Sequence, residues 1–233
     1  MFINIAINNE KQNNAININA INTPKVAANI ILKNCFIRYF FINFDDKYTQ
    51  LICLYYIFDA IYDEKMNLRK ATFEDIPAMM EIFYQSQASL KALGVDQWQN
   101  NYPNIDIVRK DVENATAYVL TIDDRVIATA TIIFNHEPTY DRIFEGEWLS
   151  QCEFVVVHRV AVDSSYKMMG VASYILKEVE KIATKANIPS IKIDTHKDNF
   201  PMRKTIEKNG FTYCGRIILL DGNSRVAYEK LLI

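Results

Sequence analysis

Apolar and polar residues follow one another along this chain with two different periods. The run from Ser173 to Ala186 repeats apolar residues at helical spacing with lysines and glutamates between them, which predicts an amphipathic helix. Upstream, the β-branched run 155–162 predicts a strand. Asp163, Ser164 and Ser165 separate the two runs, so the pattern predicts a strand, a tight polar loop and a helix.

The remaining elements follow from the same signals. A capping-box pattern begins at Thr72, Asn104 is placed as a helix N-cap, and Gly210 follows a short apolar helix. We therefore predict the order β-α-α-β-β-β-α-β-α-β-β. The further strands are expected at 67–71, 117–122, 126–134, 190–195, 211–220 and 225–232, and the further helices after Thr72, after Asn104 and at 201–209.

Residues 1–65 have a different pattern. The first 22 residues are a low-complexity mixture of Asn, Ile and Ala, and 27–62 is aromatic and aliphatic but interrupted by charges. The last of the early charges in this segment is Lys47, and the longest uncharged run after it is 48–58. That run is shorter than the ~20 apolar residues of a membrane span. AT-rich codons encode this composition, so we expect a start-site artefact with Met66 as the true start. The alternative is a segment that binds a membrane surface or a partner.

Composition narrows the functional classes. The chain has 233 residues and a net charge of −2, which gives no case for nucleic-acid binding. Its four cysteines include no C-x-x-C pair, so we expect neither a zinc site nor a disulfide framework, and no other metal site is predicted. These features predict a cytoplasmic protein without membrane association; its oligomeric state is open between monomer and homodimer.

The loop before the long helix carries the first functional signal. A glycine in the first turn leaves backbone N–H groups accessible at the positive end of the helix dipole, which is a site for anions. An ordinary strand-to-helix turn is the alternative. Residues 167–172, KMMGVA, resemble the pyrophosphate loop of the GNAT superfamily of acyl-CoA-dependent N-acyltransferases, and Val160 to Val162 resemble the end of its fourth strand. Lys167 replaces the usual Arg or Gln, and Met168, where Gly is common, is expected to have a negative φ.

A second signature supports the resemblance. Asp198 to Met202, followed by Glu207 to Phe211, is similar to the segment in which relatives contact coenzyme A. The resemblance covers 66–233 and implies an α/β (α+β) GNAT fold: a mixed, mostly antiparallel sheet with one splayed parallel strand pair and about four helices. It also implies acetyl-CoA as co-substrate. The expected cofactor-binding residues are Val160, Ala161, Val162, Lys167, Met168, Met169, Gly170, Val171, Ala172, Asn199 and Arg203.

Transfer of an acetyl group to an amine requires a base, because only a neutral amine attacks. His158 is the first candidate, since its ordinary pKa lies near neutral pH and some relatives have a functional His at this step. On a regular strand it shares a face with Val156 and Val160. A structural His in the strand is the alternative reading. Glu153 is the second candidate base.

The general acid is the weakest part of the resemblance. Relatives often place Tyr where this chain has Ile206, so Tyr213, solvent or unaided thiolate departure must serve. The acceptor pocket is expected to be lined by Gln97, Trp98 and Tyr102. The alternative is that the rings of Trp98 and Tyr102 belong to the core. We predict direct acetyl transfer in a ternary complex to a primary amine of a small molecule or protein. The alternative is a non-catalytic acyl-CoA-binding module.

Overall fold

Seven strands pair into one mixed sheet in the computed structural model, which describes residues 65–134 and 137–232. The strands are β1 (Met66–Lys70), β2 (Ala117–Ile122), β3 (Arg125–Phe134), β4 (Phe154–Val162), β5 (Ser190–Thr195), β6 (Thr212–Ile218) and β7 (Ser224–Leu231). Their order across the sheet is β1-β2-β3-β4-β5-β7-β6. β4 and β5 form the parallel pair, while β2–β3, β3–β4, β5–β7 and β6–β7 are antiparallel.

Four α-helices within residues 65–134 and 137–232 flank this sheet. They are α1 (Ile76–Ala92), α2 (Ile105–Glu113), α3 (Val171–Lys185) and α4 (Phe200–Lys208). Local signals explain their starts: Thr72 and Asp75 form a capping box before α1, and the Asn104 side chain accepts a hydrogen bond from the Ile107 amide at α2. The predicted fold class and element order are confirmed, and β2 and β5 have the predicted bounds.

Apolar faces fix the helices to the sheet. α1 and α2 pack in one cluster that includes Phe83, Val108, Val119 and Ala161. α3 connects β4 to β5 and contacts β3, β4 and β5 through a buried apolar face that includes Ile175, Leu176 and Val179. Each such side chain contributes about 1.5–3 kcal/mol when buried, so these contacts fix the helix positions around the parallel pair.

The connection between β3 and β4 covers part of one sheet face. Tyr140 and Trp148 from this connection pack against Val156, and their rings stack 5.4 Å apart. The register pairs Val156 with Lys192, so alternate residues of both strands, including His158 and Asp194, share this face. The cover therefore shields polar side chains that a sheet surface would otherwise expose to water.

Some predictions lie outside the described residues. These are the predictions for the extension 1–65, apart from Lys65. Residues Asn67–Ile233 form one compact unit. Within the described part of the chain, no helix combines the length and the apolar character needed to cross a membrane.

Candidate active site

The two parallel strands separate at the centre of the sheet. β4 and β5 pair only from Phe154 to Val157 on one side and from Ser190 to Ile193 on the other. Beyond this point β4 pairs only with β3, and β5 pairs only with β7. The backbone of Val160 to Val162 therefore has an edge without a β5 partner, and an extended ligand could hydrogen-bond there.

A β-bulge bends β4 at this opening. His158 pairs with Thr131 and Ala161 pairs with Thr129, so Arg159 and Val160 together oppose one residue of β3. Arg159 has a φ of 52°, which is unusual for a residue with a Cβ. The expectation of a regular strand is wrong here. His158 shares its face with Val156 and Ala161, and not with Val160.

The Arg159 side chain holds the bulge. Its Nε and one terminal nitrogen donate to the two Asp111 oxygens at 2.8 and 2.9 Å, and its other terminal nitrogen donates to the Tyr102 hydroxyl at 2.8 Å. The Arg159 and Asp111 side chains are only 13% and 14% exposed. This partly buried bidentate pair connects the bulge to α2 and to the loop after α1, and it offsets the strain of the left-handed backbone.

Backbone amides converge at the start of α3. Gly170 is its N-cap with a φ of 84°, and the Tyr174 amide makes the first helical hydrogen bond, to the Gly170 carbonyl at 2.9 Å. The amides of the first helical turn have no partner inside a helix, so Val171 and Ala172 can offer theirs to an anion. Val171 is buried, whereas Gly170 and Ala172 are half-buried.

One residue of this loop, Met168, differs from its prediction. Met168 has a φ of 63° and is 98% exposed, so the expectation of a negative φ is wrong. The Lys167 Nζ donates to the Ser89 hydroxyl of α1 at 2.5 Å, so its charge lies between the loop and α1. The partly exposed Met169 completes this segment.

The loop after α1 meets the segment after β5. The Gln97 amide oxygen accepts hydrogen bonds from the Asn199 side chain at 2.9 Å and from the Thr195 hydroxyl at 3.4 Å. Asn199 also caps α4 by accepting from the Met202 amide. The structure thus brings together Gln97, a predicted acceptor-pocket residue, and Asn199, a predicted cofactor residue. Thr195 was not predicted.

The other predicted site residues differ in their burial and in the groups that they contact. Trp98 is partly buried and contacts Phe83 edge-on at 5.7 Å, which favours the core interpretation of its ring. Tyr102 is 39% exposed and is held through its hydroxyl by Arg159. The Arg203 guanidinium donates to the Tyr228 hydroxyl and the Lys197 carbonyl, so it is already engaged by the protein.

His158 lies within a cluster of ionisable side chains. Its Nε2 is 3.4 Å from Glu137 Oε2, and its Nδ1 is 3.5 Å from Asp194 Oδ1. The Tyr140 hydroxyl donates to the same Asp194 oxygen at 2.6 Å, and the Tyr140 ring contacts the imidazole edge-on at 5.8 Å. The His158 side chain is 16% exposed. Two separate segments, the connection after β3 and strand β5, therefore build the surroundings of this one imidazole.

The cluster changes the acid–base properties of its members. Burial disfavours the charged imidazole of His158, but the hydrogen bonds to Asp194 and Glu137 outweigh it, so its pKa is raised above 6.5. The His158 hydrogen bond lowers the pKa of Glu137. Burial and the charge of Asp194 raise the pKa of Tyr140 well above its usual value. The site can therefore store a proton on His158 near neutral pH.

The second candidate base lies elsewhere. Glu153 is exposed immediately before β4, five residues from His158, which corresponds to about 16 Å along a strand. Ile206 is fully buried in α4 and supplies no proton donor. Tyr213, which could act as the acid, is 49% exposed and contacts Tyr228 edge-on.

Comparisons with known proteins agree with this geometry. A family model for the acetyltransferase (GNAT) family matches residues 76–211. The chain belongs to the GNAT acetyltransferase family. A GNAT acetyltransferase structure from Streptococcus agalactiae is 31% identical, covers 72% of this chain and 96% of its own, and superposes with a TM-score of 0.66. No curated protein matches the chain.

Two more distant structures share only the fold. A GNAT acetyltransferase from Listeria monocytogenes is 17% identical, with a TM-score of 0.57 and coverage of 72% of this chain and 95% of its own. A ribosomal-protein-alanine N-acetyltransferase from Brucella melitensis is also 17% identical, with a TM-score of 0.52 and coverage of 71% and 99%. Membership of the family supports acyl transfer as the general activity of this chain.

Proposed function

We propose that this protein is a cytoplasmic N-acetyltransferase that transfers the acetyl group of acetyl-CoA directly to a primary amine in a ternary complex. The observation that carries the proposal is the opening between β4 and β5, with the amide-rich start of α3 at one end and His158 at the other. The opening would combine two different functions: anion binding by backbone groups and proton transfer by a side chain.

The cofactor would extend from α3 along β4. The amides at Met169 to Ala172 would hold the pyrophosphate, and the free edge of Val160 to Val162 would pair with the pantetheine arm. Lys167 and Asn199 would contribute polar contacts from the two sides of the cleft. Arg203 could reach a phosphate only after leaving its present partners.

The acceptor amine would enter near His158. The amine would approach from the side of the bulge, where the loop after α1 places Gln97, Trp98 and Tyr102. His158 would take the proton of the ammonium group, and positioning of the neutral amine against the thioester would supply further acceleration. Because Glu153 is distant, we assign it no direct contact with the acceptor.

A non-catalytic acyl-CoA-binding module is the second candidate. Ile206 favours it, because this buried apolar side chain cannot protonate a leaving thiolate. A thiol has a pKa of about 8.5, however, so the thiolate can leave without a dedicated acid. The lack of a proton donor at Ile206 would therefore affect the rate of acetyl transfer and not the binding of acetyl-CoA.

One experiment separates the two functions. Calorimetry with acetyl-CoA measures binding, and thiol release with mass analysis of a panel of amines measures transfer; the panel includes tyramine, putrescine and a peptide with a free N-terminal alanine. We expect saturable binding and an acetylated product from at least one amine. Binding without any product would favour the binding module, and absence of binding would refute both functions.

A further inference from the structure

The two carboxylates that face His158 differ in how firmly they are held. Asp194 is 9% exposed as a side chain and accepts a 2.6 Å hydrogen bond from Tyr140. Tyr140 is itself 2% exposed and stacks on Trp148, whose Nε1 donates to the Tyr140 carbonyl at 2.9 Å. Asp194 is therefore fixed by a rigid, buried aromatic pair.

Glu137 is the more accessible partner. Its side chain is 19% exposed, and its other oxygen accepts from the Thr139 hydroxyl at 3.0 Å, a residue of the same short segment. No buried residue from another element fixes this carboxylate among the contacts within the described chain, apart from His158 itself. Of the two carboxylates, Glu137 is therefore the one that an incoming ligand can reach.

This difference assigns the two ring nitrogens of His158. A fixed carboxylate beside Nδ1 favours the tautomer with the proton on Nδ1, because that N–H can donate to Asp194. The lone pair of the neutral imidazole is then on Nε2, which faces Glu137. Nε2 is thus the nitrogen that can accept a proton, at the accessible side of the cluster.

The charges around Nε2 favour a cation. Glu137 and Asp194 are carboxylates, and the neighbouring Arg159 is already paired with Asp111. Tyr140 stays protonated because burial raises its pKa. An ammonium group has three N–H donors, enough to contact Glu137 and Nε2 together.

We propose that Glu137 binds the ammonium group of the acceptor beside His158 Nε2, and that Asp194, held by Tyr140, positions the imidazole. This inference rests on the proposed function. In the step, one ammonium N–H bond breaks and its proton moves to Nε2. The electron pair left on nitrogen forms the C–N bond to the acetyl carbonyl carbon, and the C–S bond breaks with its pair leaving on sulfur. The imidazolium proton and the second amine proton are then released, one to the thiolate and the other to solvent, which regenerates the neutral imidazole.

Kinetics with tyramine distinguish these roles. For Glu137→Gln we expect KM for the amine to rise about tenfold with a much smaller change in kcat, since a charged acceptor is replaced by a neutral one. For Asp194→Asn we expect kcat to fall about 10²-fold and the acidic limb of the pH profile to move to lower pH. Tyr140→Phe removes the hydroxyl that holds Asp194 and should lower kcat by less than Asp194→Asn. A purely structural role would not move the acidic limb.

Controls come from the same parts of the chain. Glu147→Gln changes an exposed carboxylate of the same connection, and Tyr118→Phe removes the hydroxyl of a buried tyrosine in β2. Both should retain wild-type KM and pH profile. A Glu137→Gln variant with unchanged KM, or an Asp194→Asn variant with an unmoved acidic limb, would overturn the proposal.

A ligand-free measurement keeps the test independent of turnover. The ¹⁵N shifts of the His158 ring report its tautomer and its titration midpoint. We expect the Nδ1-protonated tautomer in the wild type and a lower midpoint in both Asp194→Asn and Glu137→Gln. The Nε2-protonated tautomer, or a midpoint that neither substitution moves, would contradict the proposal. A failure to acetylate any amine, with these shifts as expected, would instead count against the proposed function.

Discussion

The start of α3 and the surroundings of His158 are the two halves of the proposed site, built in different ways. At α3 the groups proposed to bind the cofactor are backbone amides, and Gly170 with its φ of 84° permits their arrangement. Around His158 they are side chains that come from residues 137, 140, 158 and 194. The first half depends on local conformation, and the second depends on tertiary packing.

This difference implies that each half can be damaged separately. A substitution at His158 removes an acid–base group without changing any amide of α3. A side chain at Gly170 changes the amides without touching the cluster. Cofactor affinity and turnover should therefore respond to different substitutions, and the predictions below use this separation.

The largest effect is expected from His158→Ala. Removal of the proposed base should lower kcat by about 10²–10⁴-fold, because a well-placed base contributes that much. The affinity for acetyl-CoA, measured by calorimetry, should stay within twofold or so of the wild type because the pyrophosphate contacts are remote. Unaltered turnover with a normal pH profile would remove His158 from the mechanism.

The next effect concerns the bulge between the two halves. Arg159→Met leaves the Asp111 carboxylate, with a side chain 14% exposed, without its partner, and should lower the free energy of unfolding by about 3 kcal/mol. Urea denaturation measures this loss. Arg216→Met is the matched control, because its pair with Glu145 is on the surface, where water screens the charges, and should contribute much less. Equal losses in both variants would show that the Arg159 pair has no special structural role.

A smaller effect is expected at the backbone half. Gly170→Ala places a Cβ on a left-handed residue and should weaken acetyl-CoA binding about tenfold, or ~1.4 kcal/mol. Gly94→Ala introduces comparable strain at a φ of 69°, and its Cβ meets nothing within 4 Å. Calorimetry should show normal affinity for this control. Loss of affinity in both variants would indicate a general effect of strain.

The smallest effect is on stability as a function of pH. The pKa of His158 is raised in the folded state, so its contribution is fully present below pH 6.5 and is lost as pH rises through the folded pKa. Thermal unfolding of the wild type and of His158→Gln should therefore differ most at pH 6 and converge at pH 9. His196 is common to both proteins, so its titration cancels. A difference that grows with pH would contradict this account.

The contrast between the halves also explains which features could be predicted from the sequence. The strand, loop and helix around Gly170 follow from local patterns, and so do the caps at Thr72 and Asn104. The bulge at Arg159 could not be predicted, because its partner Asp111 lies 48 residues away and only the fold brings them together. The φ of Met168 was missed because the residue was expected to have the negative φ of a helix N-terminus, whereas α3 begins only at Val171.

The sequence contains only a weak indication of which residues contact His158. In β5 the apolar residues Ile191 and Ile193 alternate with the polar Ser190, Lys192 and Asp194, a pattern typical of a strand with one solvated face. The structure buries that polar face under the connection after β3. Glu137 and Tyr140 lie in this irregular connection, where neither period nor motif indicates which residues turn inward.

The most direct test of the central claim follows backbone amides during titration of ¹⁵N-labelled protein with coenzyme A. If the start of α3 holds the pyrophosphate and the free edge of β4 holds the pantetheine arm, the amide signals of Met169–Ala172 and Val160–Val162 should shift with one common dissociation constant. The amide signals of β6, an edge strand that pairs with β7 and not with β4 or β5, should not shift. Saturable shifts that leave 169–172 unchanged, or no binding at all, would contradict the account.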